Sequence, residues 1–524
     1  MKKLYLLVLS TLALVLSVWL MWHTLSYDPA KNMILISGKA WSDFGWMLPL
    51  ARSFSLGNNW PPQNPFYSGA PLKYHFLFHL LVGLLEKAGM RIDWAFNVPS
   101  ALGFFLLLVM IYKVAKSMFA STKVALLSLL FFLFNGSLSF WEYFQEHGWN
   151  IAAVKLIPHN SQYPSFGPWD GSQIAAIWNL NIYTNQRPFG LSLGILLVVV
   201  YLLYAKQSVR PLIIGPLLAV LLFINQGLLP ALAILIAWHF LIFPNLRKNV
   251  IKSLLFVLPF FVYSLGFVNT SSAHYQPGFL MNQPLTFIKI LKYWFNNLGL
   301  HLILIPLGFL LAPSTAKKLA VPLLVIFLLP NLFQFSPDMF NNHKLFNLFI
   351  IFGGMFTAYA ITRIKPLVIL IPVLIISGII DFFPTKNDPY GYLPDVQANP
   401  DANFFLSSTP SKAVVLNSYW FYHPASIAGR PIFNGYSYFT WAHGYDQAAR
   451  EREAVDIYTA PDKSTACQLL KSSNISYVEL NDHPEGFIHP NWDLWRNQFT
   501  PVYRNTQSGT SVYNVSTSCP NSSS

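Results

Sequence analysis

Long apolar runs, each broken by a short basic turn, dominate the first three-quarters of the chain. They fall near 4–24, 96–113, 124–141, 188–205, 211–226, 228–243, 251–268, 297–312, 319–334, 345–362 and 366–383. A helix crossing a hydrocarbon core needs about 20 apolar residues, so this pattern predicts about eleven transmembrane helices with loosely defined ends. Lys and Arg cluster in alternate turns: Lys113/Lys116/Lys123, Lys206/Arg210, Arg247/Lys248/Lys252, Lys317/Lys318 and Arg363/Lys365, with Lys2/Lys3 at the start. Between Asp93 and Asp381 the only carboxylates, Glu142, Glu146, Asp170 and Asp338, fall in the other turns. The positive-inside rule makes the basic turns cytoplasmic. The N-terminus is then cytoplasmic and the end of the chain extracytoplasmic, with Lys289/Lys292 an exception in an outer loop.

The stretch 74–89 is apolar but short, and it carries His75, His79 and Glu86. Counted as a span it would invert every later turn, so it reads as an interfacial or re-entrant helix. Residues 25–95 then form one large first outer loop, and residues 142–187, rich in Trp, Asn, Pro and Gly, form a second. Together these make a membrane domain over 1–383. From 384 hydropathy falls. Ala413–Leu416 and Ile475–Leu480 read as buried strands, Gln447–Tyr458 as an amphipathic helix, and Ser511–Val515 as a closing strand. An extracytoplasmic α/β domain is expected over 384–515, with a disordered Ser-rich tail over 516–524.

Composition agrees. Of 524 residues, 54% are hydrophobic and 10% charged, with a mean hydropathy of +0.42, far from the globular norm. The net charge of +13 sits beside apolar spans rather than in a patch, so membrane orientation explains it and nucleic-acid binding is not expected. The run at 4–22 lacks a small-x-small cleavage site and reads as a retained first helix rather than a signal peptide. The two cysteines, Cys467 and Cys519, either pair or stay free.

Three constellations offer chemistry. Asp43, in Trp41-Ser42-Asp43-Phe44-Gly45-Trp46, is a carboxylate among aromatics at the membrane face, where partial desolvation raises basicity. It can serve as a general base or cap a short helix running from Phe44 to Ser53. In Asn185-Gln186-Arg187-Pro188, an arginine stands where the second outer loop re-enters the membrane, suited to bidentate phosphate binding or to lipid-headgroup anchoring. In Asp338–Lys344, Lys344 and His343 could meet the same phosphate, or the segment is an ordinary interfacial loop. His75 and His79 stand four apart, as metal ligands on a helix do, but no third ligand lies nearby, and no metal is predicted. His159, Asn160, Trp169, Asp170 and Lys155 could line a sugar pocket, the aromatic stacking on a sugar face and the amide bonding to hydroxyls. The aromatic run Tyr436–Asp446 could bind glycan or dock the last domain onto the outer loops.

The layout resembles the GT-C membrane glycosyltransferases: a first span, a long outer loop with an early Asp, interfacial helices, paired spans and an outer C-terminal domain. Protein O-mannosyltransferases and the lipid A aminoarabinose transferase are similar in outline. Ser42–Trp46, Tyr74-His75-Phe76, Asn185-Gln186-Arg187 and Gly444-Tyr445-Asp446 are similar to segments of prokaryotic members. The resemblance implies a polyprenyl-phosphate sugar as donor and Asp43 as the base of an inverting transfer. It implies Arg187, Lys344, His75 and His343 at the donor phosphate, and Tyr74, Asn185, Gln186 and His159 as substrate contacts. Asp43 departs from the pattern in standing alone, without a neighbouring acid, which argues against a divalent metal; no cofactor is expected. The acceptor is a lipid, a cell-envelope glycan or a protein. A transporter or flippase of lipid-linked sugars and a non-catalytic assembly protein share this topology, although spans without acids disfavour ion coupling.

Overall fold

The computed structural model describes residues 2–268, 273–484 and 488–520. It is mostly helical, and the membrane region precedes a strand-containing C-terminal region. Among the described residues seven helices are long and apolar enough to span a bilayer: Leu4–Thr24, Ile92–Phe119, Arg187–Ala205, Pro244–Phe267, Ser314–Leu332, Met339–Arg363 and Lys365–Lys386. Two bent pairs raise the number to nine.

The difference from eleven has local causes. The apolar run at 124–141 yields a helix only over Thr122–Leu133, because Asn135 and Gly136 break the chain before a separate helix at Ser139–His147. Twelve residues reach about 18 Å, short of a bilayer core. The runs at 211–226 and 228–243 form Pro211–Ile224 and Gln226–Ile242, which meet at 119°. There Asn225 ends one helix and its side chain caps the next turn by accepting from the Gly227 amide. The run at 297–312 is the second half of another bent pair, Phe287–Leu298 with His301–Leu311 at 85°.

Residues 25–95 are folded rather than extended. Helix α1 (Lys2–Thr24) runs into strands β1 (Leu25–Asp28) and β2 (Met33–Ser37), which pair antiparallel. Helices α2 (Trp41–Ser55) and α3 (Leu77–Lys87) follow, then α4 (Ile92–Phe119). At 11 residues α3 is too short to span, and its Phe78, His79 and Val82 are buried where it packs on α2 and α4. Strand Tyr390–Pro394 pairs antiparallel with β2, so residues just past 384 complete a sheet begun by the segment that follows α1.

Arg52 fastens the same junction. Buried in α2, it donates to Asp395 Oδ1 at 2.6 Å and to Glu86 of α3 at 3.1 Å. The C-terminal region forms a four-stranded sheet ordered Val415–Leu416, Tyr477–Asn481, Thr510–Asn514, Tyr503–Asn505, parallel in the first pair and antiparallel in the others. Gln447–Tyr458 is helical and packs Ala454, Ile457 and Tyr458 into that domain's own core. The end of the chain is more ordered than its serines predict: Val515–Ser518 form a helical turn, and Cys519 is disulfide-bonded to Cys467. Residues 521–524 of the expected tail lie outside the described residues.

A candidate donor and base site beneath the C-terminal domain

Asp43 lies in the first turn of α2. It does not cap that helix, because Ala40 occupies the cap position without a side-chain hydrogen bond. Its carboxylate is thus released from local duty while the helix N-terminus favours its charge. Asp43 keeps some surface open to solvent, yet its neighbours enclose it enough that burial pushes its carboxyl from 3.8 up to about 6. The Asn185 amide and the Lys344 charge pull the other way without cancelling that rise. A carboxylate in this range is a stronger base than a solvated one and is still ionised at neutral pH.

Three segments converge on it. Asn185 ends a short helix, Asn181–Asn185, and the chain turns at Gln186 before Arg187–Val200 begins, which leaves both amides at the corner. Asn185 also donates to the Lys39 carbonyl at 2.8 Å, tying the corner to the start of α2. From the helix His343–Arg363 come His343 and Lys344, both buried. The Gln186 amide nitrogen lies 3.0 Å from His343 Nε2, and Lys344 Nζ donates to Asn341 Oδ1 at 2.9 Å. Asp43 and Asp338 both act on the Lys344 charge. Gly227 makes room for that lysine: a Cβ there would stand 2.4 Å from Lys344 Cδ.

The third segment runs from Tyr74 to His79. Tyr74 and His75 stack with ring centroids 3.9 Å apart. Burial, then the Asp43 charge, raises the Tyr74 hydroxyl well above its ordinary range. Burial, and after it the Lys344 charge, holds His75 neutral by lowering its pKa far below the usual imidazole value. Because α3 begins at Leu77, His75 and His79 do not share a helix face. Among the described residues no three His, Cys, Asp or Glu side chains form a group set to hold a metal ion.

The C-terminal domain roofs the site. Tyr438 donates to Asp338 Oδ2 at 2.7 Å, and Tyr422 donates to the Trp41 carbonyl at 2.6 Å. His443 stacks obliquely on Trp46 and Tyr74 at 4.5 and 4.6 Å. Gly45 meets the Phe421 ring so closely that a Cβ would stand 2.5 Å from it. Gly444-Tyr445-Asp446 docks on the segment 67–73: Tyr445 donates to the Pro71 carbonyl at 2.7 Å and accepts from the Lys73 amide at 2.7 Å, and the Asp446 carbonyl accepts from Tyr67. Trp46 and Tyr422 escaped sequence reasoning as site residues. Tyr438 and His443 lie in the aromatic run Tyr436–Asp446, which was expected to bind glycan or to dock the last domain.

Two expected residues stand elsewhere. Arg187 is 1% exposed and turns toward α1 and α4, donating to Asn97 Oδ1 at 2.9 Å, Thr24 Oγ1 at 2.8 Å and the Met21 carbonyl at 3.3 Å. Its guanidinium lies 5.1 Å from the Phe44 ring centroid, so that ring separates it from solvent on the α2 side. His159 is exposed on a short 3-10 turn beside the helix Ile371–Lys386.

No family model and no curated protein matches the sequence. Among solved structures, the chain is similar to the archaeal oligosaccharyltransferase AglB from Archaeoglobus fulgidus in complex with an inhibitory peptide and a dolichol-phosphate. That match has 14% identity over 91% of this chain and 69% of that one, with a TM-score of 0.41. The Archaeoglobus fulgidus oligosaccharyltransferase tethered with an acceptor peptide gives 11% identity over 90% and 69%, with a TM-score of 0.40. Arabinofuranosyltransferase AftD from Mycobacteria gives 13% identity over 97% of this chain and 40% of that one, with a TM-score of 0.48. Overlaps this loose assign no role to any residue.

Proposed function

We propose that the protein is an integral membrane glycosyltransferase of the GT-C type that moves a sugar from a polyprenyl-phosphate donor to an extracytoplasmic acceptor. The observation that carries this reading is an enclosed carboxylate at Asp43, free of helix-capping duty and within electrostatic reach of a buried lysine at the N-terminal end of a long apolar helix. The donor's isoprenoid tail lies among the apolar helices and its phosphate meets Lys344, with His343, His75 and Gln186 beside it. Asn185 and Tyr74 face the acceptor and sugar.

Asp43 takes the proton from an acceptor hydroxyl or amine. The freed lone pair attacks the anomeric carbon, and the bond from that carbon to the phosphate oxygen breaks with its electrons passing to the phosphate. Attack opposite the leaving group inverts the centre. Lys344 stabilises the charge that grows on the departing phosphate, the kind of preorganised electrostatic help that dominates such transfers. The acceptor is a lipid, a cell-envelope glycan or a protein. The disulfide between Cys467 and Cys519 fits an oxidising, extracytoplasmic side for the C-terminal domain.

Native mass spectrometry of the purified protein, wild type against Asp43→Asn, tests this reading. A glycosylated polyprenyl phosphate retained by the variant and bare polyprenyl phosphate on the wild type support it. Absence of lipid phosphate from both removes the donor half, and a flippase or assembly role then leads.

A further inference from the structure

Four buried polar atoms without a hydrogen-bond partner fall in one place: Trp46 Nε1, both ring nitrogens of His79, and His443 Nδ1. Their rings form one cluster, with Trp46 and His443 centroids 4.5 Å apart, Tyr74 and His443 4.6 Å, Trp46 and Tyr74 5.5 Å, and Tyr74 and His79 5.9 Å. Trp46 is 4% exposed and His79 fully buried, while Tyr74 and His443 keep some surface open and give a way in. The His75 carbonyl sits one turn back from His79, near enough to favour its charged form slightly, but it makes a hydrogen bond with neither ring nitrogen. Leaving such groups unpaired is costly, so the cluster is built to be completed by something that enters.

The inventory of atoms says what enters. An indole N–H only donates, and a neutral imidazole presents one donor and one acceptor. The cluster therefore wants partners that both donate and accept, as hydroxyls do. A carboxylate or phosphate only accepts and would leave the acceptor nitrogen of His79 facing negative charge. Burial holds His79 and His443 neutral, pushing each down to about 3, so these rings bring no cation to an anion. Lys344 acts electrostatically on both His75 and His443, which places the cluster and the phosphate-binding cation in the same site.

We propose that Trp46, His79 and His443 form the subsite that reads the hydroxyls of the donor's sugar ring, and that this sugar is neutral rather than a uronic acid. The inference rests on the glycosyltransferase reading above and adds to it the class of sugar. It also gives the donor a direction, with phosphate toward Lys344 and hydroxyls toward the imidazoles.

The test uses the full-length protein in lipid nanodiscs. Dissociation constants are measured for polyprenyl phosphate alone and for polyprenyl phosphate carrying mannose, glucose, arabinose or glucuronate, with wild type, Trp46→Phe and His443→Phe. At least one neutral sugar should bind the wild type about tenfold more tightly than the bare lipid phosphate and than the glucuronate form, as one or two hydrogen bonds would give. Each variant should lose most of that preference while keeping its affinity for the bare lipid phosphate, which also reports that it has folded. A preference retained in both variants, a wild type that prefers no neutral sugar, or one that prefers glucuronate overturns the inference and leaves the donor reading standing. Failure of the wild type to bind even bare polyprenyl phosphate overturns the donor reading and this inference with it.

Discussion

Asp43 and Lys344, brought together from opposite ends of the membrane domain, act on each other's charge without closing into an ion pair. That relationship is what a transferase of this kind requires. A carboxylate locked to a lysine would lose the basicity that deprotonates an acceptor, and a lysine locked to a carboxylate would have no charge to offer a phosphate. Lys344 is instead held by the neutral Asn341 oxygen, and Asp43 by nothing stronger than the Asn185 amide.

The pH dependence follows from the raised Asp43 carboxyl. The base works when deprotonated, so kcat/KM should be flat above about 6 and fall about tenfold per pH unit below it. Burial lowers the three neighbouring imidazoles, His75, His79 and His443, so they stay neutral across that limb. Stability runs the other way: a raised carboxyl favours folding below its unfolded pKa and loses that contribution as pH rises through about 6. Asp43→Asn should therefore melt slightly higher than wild type at pH 8 and equal to it near pH 4. A rate limb near 4 would contradict the burial of this group.

Lys344→Met should weaken binding of polyprenyl phosphate by about ten- to a hundredfold, the worth of a hydrogen bond to a charged group. Gly227→Ala should do nearly the same without touching a charge, because the new methyl occupies the space of Lys344 Cδ. Titration of both variants with the bare lipid checks this. Wild-type affinity in each would place the phosphate elsewhere.

Two buried arginines are predicted to separate fold from function. Arg52→Ala leaves Glu86 and Asp395 facing each other without a cation and should cost about 3–5 kcal/mol, read as a lowered midpoint of thermal unfolding. Burial disfavours the charge on Asp395, but Arg52 overcomes it and holds that carboxyl below its ordinary range, so this contribution fades as pH falls through the carboxylate range. Arg187→Lys gives up several of the bonds to Asn97, Thr24 and Met21 and should cost about 1–3 kcal/mol, leaving lipid-phosphate affinity unchanged. A large loss of that affinity would return Arg187 to the donor site.

Orientation is checked with single cysteines at the exposed positions Lys31 and Lys123, which flank the span Ile92–Phe119. They should react with an impermeant thiol reagent from opposite faces of the membrane, Lys31→Cys from outside. Reaction of both from the same face would refute the positive-inside assignment.

Much of this arrangement was legible in the chain. Periodic apolar runs and alternating basic turns give the helical membrane region, and the strands near Val415, Tyr477 and Val512 emerged from their short apolar runs. Helix geometry was less legible, because hydropathy does not report the angle at which apolar helices meet, as at Asn225. The site was legible in part. Lys344, His343 and Asn185 stand out as polar groups beside the ends of apolar runs, Asp43 as a lone acid among aromatics, and the structure gathers them. Arg187 shows the same signature and turns the other way, because nothing in a linear pattern says which side of a helix faces a cavity. The place of His443 over the site was out of reach for a different reason. It comes from the far domain, and only the docking of Tyr445 on residues 71–73 fixes its place over Tyr74.

The most direct test is single-turnover release of polyprenyl phosphate from a glycosylated polyprenyl-phosphate donor, wild type against Asp43→Asn, with donor affinity measured alongside. The account predicts unchanged donor affinity and release slowed by about a hundred- to ten-thousandfold, the scale of a lost general base. Release at the wild-type rate by Asp43→Asn, with the donor bound, would contradict it.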